Sequence, residues 1–171
     1  VLKKAIELRH TLGDHLKEGE NYENLAVISY LLGRKAESEQ ASRSAIAILE
    51  ALPSSVELAG AYKSQCFIRM QNRDCAEAVI WGEKAIRLAE RFGDTELARV
   101  CNYAGCAMLI LDYERGRALM ERSLKIGREA NLPFTIAGTL ANFAWILVEL
   151  YRFEEAERYL IEGIAYATEH E

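Results

Sequence analysis

Few of the side chains that usually carry catalysis occur in this chain. It has three histidines, His10, His15 and His170, which lie near its two ends, and we expect them not to meet. Neither a phosphate-binding G-x-x-x-x-G-K nor a nucleophile-elbow G-x-S-x-G motif is present. Carboxylates are abundant, but runs such as the one that begins at Glu154 are typical of solvated helix faces. The sequence therefore predicts a protein that is not an enzyme.

The four cysteines lack the spacing of a metal site. No C-x-x-C pair occurs, and each cysteine lies in an apolar segment with helical spacing. We therefore expect reduced cysteines that pack in a core, and we expect neither a metal nor a cofactor. These residues are Cys66, Cys75, Cys101 and Cys106.

Composition favours long helices and disfavours two classes of partner. The 171 residues include only two prolines. No run approaches the ~20 apolar residues that span a bilayer, and the charged N-terminus is unlike a signal peptide, so we expect a cytoplasmic protein without a membrane partner. A net charge of −5 disfavours nucleic acid as a binding partner, because binding to phosphates normally needs a basic surface.

An internal repeat of about 40 residues organises the chain. In the first helix of each unit, a bulky residue is followed three and four positions later by another residue, usually bulky, and then by a small one, so that all three share one face. The second helix has two small residues seven positions apart. The small residues of the first helices are Ala26, Cys66, Ala104 and Ala144, and those of the second helices are Ser38 and Ala45, Ala78 and Ala85, Gly116 and Ser123, and Ala156 and Gly163.

Each unit is predicted to be an antiparallel helical hairpin. A single hairpin buries too little surface to be stable, whereas stacked hairpins share a continuous core. We expect Ser54 to cap a helix and Pro133 to lie in the first turn of another. The prediction is thus one all-α domain, 1–171, with about nine helices: the second helix of a truncated repeat at 1–13, and hairpins at 20–52, 55–92, 94–131 and 133–171.

These columns of residues resemble the tetratricopeptide repeat family, most closely in the segment 74–88. The resemblance covers essentially the whole chain and implies an α-α superhelix. The period of 38 to 40 residues is longer than the family's usual ~34. Long units of this kind are similar to the sensor regions of large bacterial LuxR-type ATP-dependent regulators, where the repeats lie between an NTPase and a DNA-binding domain.

The resemblance also implies a concave groove lined by the first helices. Its apolar and aromatic side chains suit an amphipathic helix or an extended apolar peptide. The alternative is that the same side chains pack against neighbouring first helices or a second copy, and for the asparagines we favour amide hydrogen bonds between helices. The candidates for partner contact are Tyr30, Lys63, Phe67, Met70, Asn102, Met108, Asn142 and Trp145.

The sequence predicts a non-catalytic protein-binding or peptide-binding module, and we expect it to be a fragment of a larger protein. The alternative is a sensor segment of a multidomain bacterial transcriptional regulator or signalling ATPase, which binds a small ligand or relays a conformational change. A purely structural spacer is the third hypothesis. We also expect homodimers through exposed repeat ends, with Leu160, Ile164 and Tyr166 as the candidate contacts.

Overall fold

The structure, a computed structural model, describes residues 1–170 except for the side chain of Asp94. Over this range the chain forms nine α-helices and no strand, which confirms the predicted all-α class. Glu171, the last residue of the predicted fourth hairpin, lies outside the described residues. The helices are α1 Leu2–Thr11, α2 His15–Leu31, α3 Lys35–Glu50, α4 Val56–Gln71, α5 Cys75–Ala89, α6 Asp94–Leu111, α7 Tyr113–Glu129, α8 Pro133–Glu149 and α9 Phe153–Glu169.

The helices pair in chain order and then stack. Helix α1 packs against α2, and the following hairpins are α2 with α3, α4 with α5, α6 with α7, and α8 with α9. The first helices of these hairpins, α2, α4, α6 and α8, also contact one another in sequence, and each second helix contacts the first helix that follows it. Each new hairpin therefore rests on both helices of the one before, as in a tetratricopeptide-like superhelix.

Small residues set the distance between the two helices of a hairpin. Ser38 is buried, and its hydroxyl donates to the carbonyl oxygen of Ala26 at 2.8 Å, so α2 and α3 nearly touch at the backbone. At the equivalent place in the third hairpin, a Cβ on Gly116 would lie 2.2 Å from the backbone nitrogen of Leu109. The spacing of the hairpins thus depends on the small columns that the sequence displays.

Three helix starts show how well local signals locate boundaries. Pro133 lies in the first turn of α8, as predicted. The prediction for Ser54 was wrong by one position: the cap of α4 is Ser55, whose hydroxyl accepts a hydrogen bond from the backbone N–H of Leu58 at 3.3 Å. Helix α2 begins well before position 20, because the carboxylate of Asp14 caps it at His15.

A pair of glycine substitutions tests the close approach of α6 and α7. Gly116→Ala is expected to lower the free energy of unfolding by about 3 kcal/mol, because the added methyl meets backbone that cannot rotate away. Gly138→Ala is the matched control, since this helical glycine in α8 has open space where a Cβ would be placed. It should raise the free energy of unfolding by about 0.5–1 kcal/mol through helix propensity. Urea denaturation followed by circular dichroism measures both, and equal effects of the two changes would contradict the packing.

Candidate functional site

Most of the predicted groove side chains are drawn into contacts between first helices. The ring of Phe67 lies between those of Tyr30 and Tyr103, with centroid distances of 5.8 and 5.2 Å. Met70 and Met108 are buried. These residues therefore pack against neighbouring first helices, which is the predicted alternative to an open groove.

The predicted polar residues of the groove also bind within the chain. The Nζ of Lys63 lies 2.7 Å from Oε2 of Glu96, which joins α4 to α6 by an ion pair. The side-chain amide of Asn142 donates to Oδ1 of the buried Asn102 at 3.1 Å, which joins α8 to α6. The interpretation of these asparagines as hydrogen bonds between neighbouring helices is therefore confirmed.

Trp145 is the exception, with 65% of its surface exposed. Its indole N–H donates to Oε1 of Glu149 at 2.5 Å, and the same carboxylate pairs with Arg73 from the turn between α4 and α5. Trp145 and Arg73, together with Met70 and Asn142, line a pocket of about 320 Å³ on the inner face of the array. Trp145, Met70 and Asn142 are thus the predicted residues that the fold brings together around a pocket.

A larger concavity lies on the other side of Trp145, between α8 and α9. We call it the terminal groove. Its volume is about 650 Å³, and apart from two glutamates on its edge its lining is apolar. The lining residues are Ala141, Ala144, Trp145, Val148, Phe153, Glu154, Ala156, Glu157 and Leu160.

Two residues of the terminal groove are exposed although the equivalent residues of the preceding hairpin are buried. Leu160 is 52% exposed, whereas Met120, which occupies the same column in α7, is 0% exposed and packs in a cluster with Phe143 of α8. Val148 is half exposed, whereas the equivalent Met108 is buried. Helix α8 lies against both α6 and α7, so the terminal groove has the form of a seat for a further helix.

Sequence reasoning identified only part of this surface. Trp145 was a predicted contact, and Leu160 and Ile164 were predicted to be exposed, as they are. Tyr166 is instead half-buried, since its ring stacks on His170 at 4.1 Å and packs against the cluster of Leu124 and Leu140. Phe153 was missed, although the repeat columns place it where the last hairpin has no successor among the described residues.

The four cysteines are free and buried. Burial raises the pKa of the Cys101 thiol to about 11 and that of Cys106 to about 12, and it also raises the pKa values of Cys66 and Cys75. The thiolate is therefore disfavoured at all four positions, which makes them unreactive packing residues.

The expectation that the histidines do not meet was wrong for two of the three. His10 ends α1 and His15 begins α2, and both imidazole Nδ1 atoms reach the carboxylate of Glu18, at 3.0 and 2.9 Å. Gly13, with φ of 69°, turns the chain back sharply enough to bring them together. His170 lies at the other end, where its Nδ1 contacts the carbonyl oxygen of Tyr166.

Comparison with protein families supports the repeat interpretation. The model of the tetratricopeptide repeat matches residues 136–170, which fall on the hairpin of α8 and α9. Residues 136–170 are therefore similar to a tetratricopeptide repeat, as the sequence columns predict. Repeats of this kind build extended concave surfaces for protein interaction. No curated protein matches the chain by sequence.

Two solved structures share the fold along the whole chain. Aspartyl phosphate phosphatase F from Bacillus subtilis superposes with a TM-score of 0.78 at 17% identity, over 99% of this chain and 45% of that one. BtubC (BKLC) from P. vanneervenii superposes with a TM-score of 0.78 at 16% identity, over 98% of this chain and 71% of that one. The chain spans less than half the length of the phosphatase. The resemblance to LuxR-type regulators stays a prediction.

Within residues 1–170, no helix combines the length and the apolar character that a membrane span requires.

Buried thiols with raised pKa values predict slow alkylation. At pH 8, iodoacetamide should modify all four cysteines of the folded chain at least about 100-fold more slowly than in urea, because thiolate is scarce and access is blocked. Cys75, the most exposed of the four, should react first. Mass spectrometry of timed samples measures the rates, with the urea-unfolded chain as control. A cysteine that reacts equally fast in both states would contradict its burial.

Proposed function

We propose that this array of tetratricopeptide-type hairpins is a non-catalytic protein-binding module, and that the terminal groove receives an amphipathic helix of a partner protein. The observation that carries the proposal is the exposure of Leu160, in a column that the internal hairpins bury, beside the exposed Trp145. We further propose that the module works in the cytoplasm, without nucleic-acid or membrane partners.

The fold itself supports a helix as the occupant. Helix α4 rests on α2 and α3, α6 rests on α4 and α5, and α8 rests on α6 and α7, so this chain already fills three such grooves with helices. The fit within the chain is close: a Cβ on Gly82 of α5 would lie 2.6 Å from the Cβ of Ala104 in α6. An extended peptide has no such precedent among the described residues.

The chemistry of the terminal groove supports the character of the partner helix. Its floor is apolar, and Glu154 and Glu157 stand on its edge. A helix with apolar residues at i, i+3 or i+4, and i+7 would cover the floor, and flanking Lys or Arg residues would lie near the two carboxylates. Trp145 supplies the large anchor that often dominates interface energies.

The other predicted contacts take different roles in this proposal. Met70 and Asn142 line the smaller pocket on the inner side of Trp145, which a long partner side chain can enter. Tyr30, Lys63, Phe67, Asn102 and Met108 pack between hairpins and hold the first helices in place.

Selection from a displayed library of amphipathic helical peptides with basic flanks tests the proposal. We expect selected peptides to bind, and both Trp145→Ala and Leu160→Glu to weaken binding at least tenfold, because each removes apolar contact from the groove. Ile80→Glu is the matched control for Leu160→Glu, since Ile80 is an equally exposed aliphatic residue on a second helix, α5, of an internal hairpin.

Two outcomes would overturn the terminal groove as the binding surface. One is a failure to enrich any peptide from the library. The other is enrichment of peptides whose affinity falls as much with Ile80→Glu as with Leu160→Glu. Circular dichroism of each variant verifies that the helices are intact.

An exposed apolar groove also predicts weak self-association in the absence of a partner. Sedimentation velocity should show a fraction of dimer that rises with protein concentration, because two copies can cover each other's grooves. Leu160→Glu should shift the chain to monomer, whereas Ile80→Glu should not. A strict monomer at high concentration would argue against pairing through the repeat ends.

A further inference from the structure

The turn between α1 and α2 brings two imidazoles and a carboxylate to one place. His10 comes from the last turn of α1, while His15 and Glu18 lie three residues apart on one face of α2. Their ligand atoms all lie within 4.8 Å of one another. The ion pair of Arg9 with Asp14, at 2.7 Å, spans the same turn and helps to fix it.

The carboxylate at the centre is buried, while the rings are open to solvent. Glu18 is only 5% exposed, and each of its oxygens faces one imidazole Nδ1. The side chains of His10 and His15 are 71% and 51% exposed. A buried carboxylate needs a compensating charge, and a divalent cation between the three groups would supply it without a proton on either ring.

The donor set selects the class of cation. Two imidazole nitrogens and one carboxylate oxygen suit Zn²⁺, whereas Mg²⁺ and Ca²⁺ prefer oxygen ligands alone. Tetrahedral bonds of about 2.0–2.2 Å place neighbouring ligand atoms about 3.4 Å apart. The two Nδ1 atoms lie 3.0 and 2.9 Å from the two different oxygens of Glu18, and the three ligand atoms lie within 4.8 Å of one another. The exposed imidazoles therefore need only small movements to reach this spacing.

We propose that His10, His15 and Glu18 bind Zn²⁺ through the two Nδ1 atoms and a carboxylate oxygen, with water at the fourth position. The ion would join the end of α1 to the start of α2. This junction is where a clasp has most effect, because among the described helices α1 packs chiefly on α2. Its further link to the array is the ion pair of Lys3 with Glu37 on α3, at 2.6 Å.

Titration of the intact chain with zinc tests this site directly. Isothermal calorimetry should show one zinc ion bound per chain, and Co²⁺ used as a probe should give the visible absorption of a tetrahedral site. His10→Gln and His15→Gln should each weaken zinc binding at least tenfold, and Glu18→Gln should do so as well by removing the charge. His170→Gln is the matched control, since His170 lies far along the chain from the site and its Nδ1 contacts only a backbone carbonyl.

A second measurement separates a specific site from loose surface binding. Zinc should raise the melting temperature of the wild type and of His170→Gln, and it should lose this effect in His10→Gln. The buried cysteines do not compete for zinc in the folded chain. The proposal is overturned if the wild type binds no zinc at about 100 μM, or if a variant that lacks both His10 and His15 keeps the wild-type affinity.

Discussion

Backbone contact between paired helices is the constraint on which the rest of this structure depends. Gly116 sits so close to Leu109 that even a methyl group does not fit, and Ser38 reaches the backbone of Ala26 with its hydroxyl. Only small side chains allow this distance, and the distance in turn decides how far each hairpin opens toward the next. A hairpin that opened wider would no longer offer its successor a groove of the right width.

The same packing rule explains where the surface is apolar. An internal hairpin is covered by the next one, so Met120 is buried, and the last described hairpin shows the same column uncovered at Leu160. The exposed surface is thus the ordinary interior of the repeat array, presented to solvent. A helix that bound there would make contacts equivalent to those of α8 with α6 and α7.

The sequence predicts the fold well because the determinants of the fold are local and periodic. Small residues at fixed spacing identify each hairpin without any knowledge of the neighbouring one. The site was harder to predict, because burial depends on how the hairpins stack. The sequence predicts Phe67 in an open groove, whereas in the fold the rings of Tyr30 and Tyr103 lie on either side of it. Likewise, the meeting of the two N-terminal histidines depends on a left-handed Gly13, which their sequence spacing does not reveal.

The first and last described helices differ in the contacts that they make, and this difference follows from nearest-neighbour stacking. In such arrays each hairpin is stabilised mainly by the hairpins that it touches, so an event at one end acts chiefly on its own neighbour. At the N-terminal end, α1 is held by one helix and a few polar contacts, among them the cluster at Glu18. At the C-terminal end, α9 is held by α8, and its Phe153, Leu160 and Ile164 are exposed. Polar contacts at α1 therefore hold the first helix without altering the apolar surface that the last described hairpin exposes.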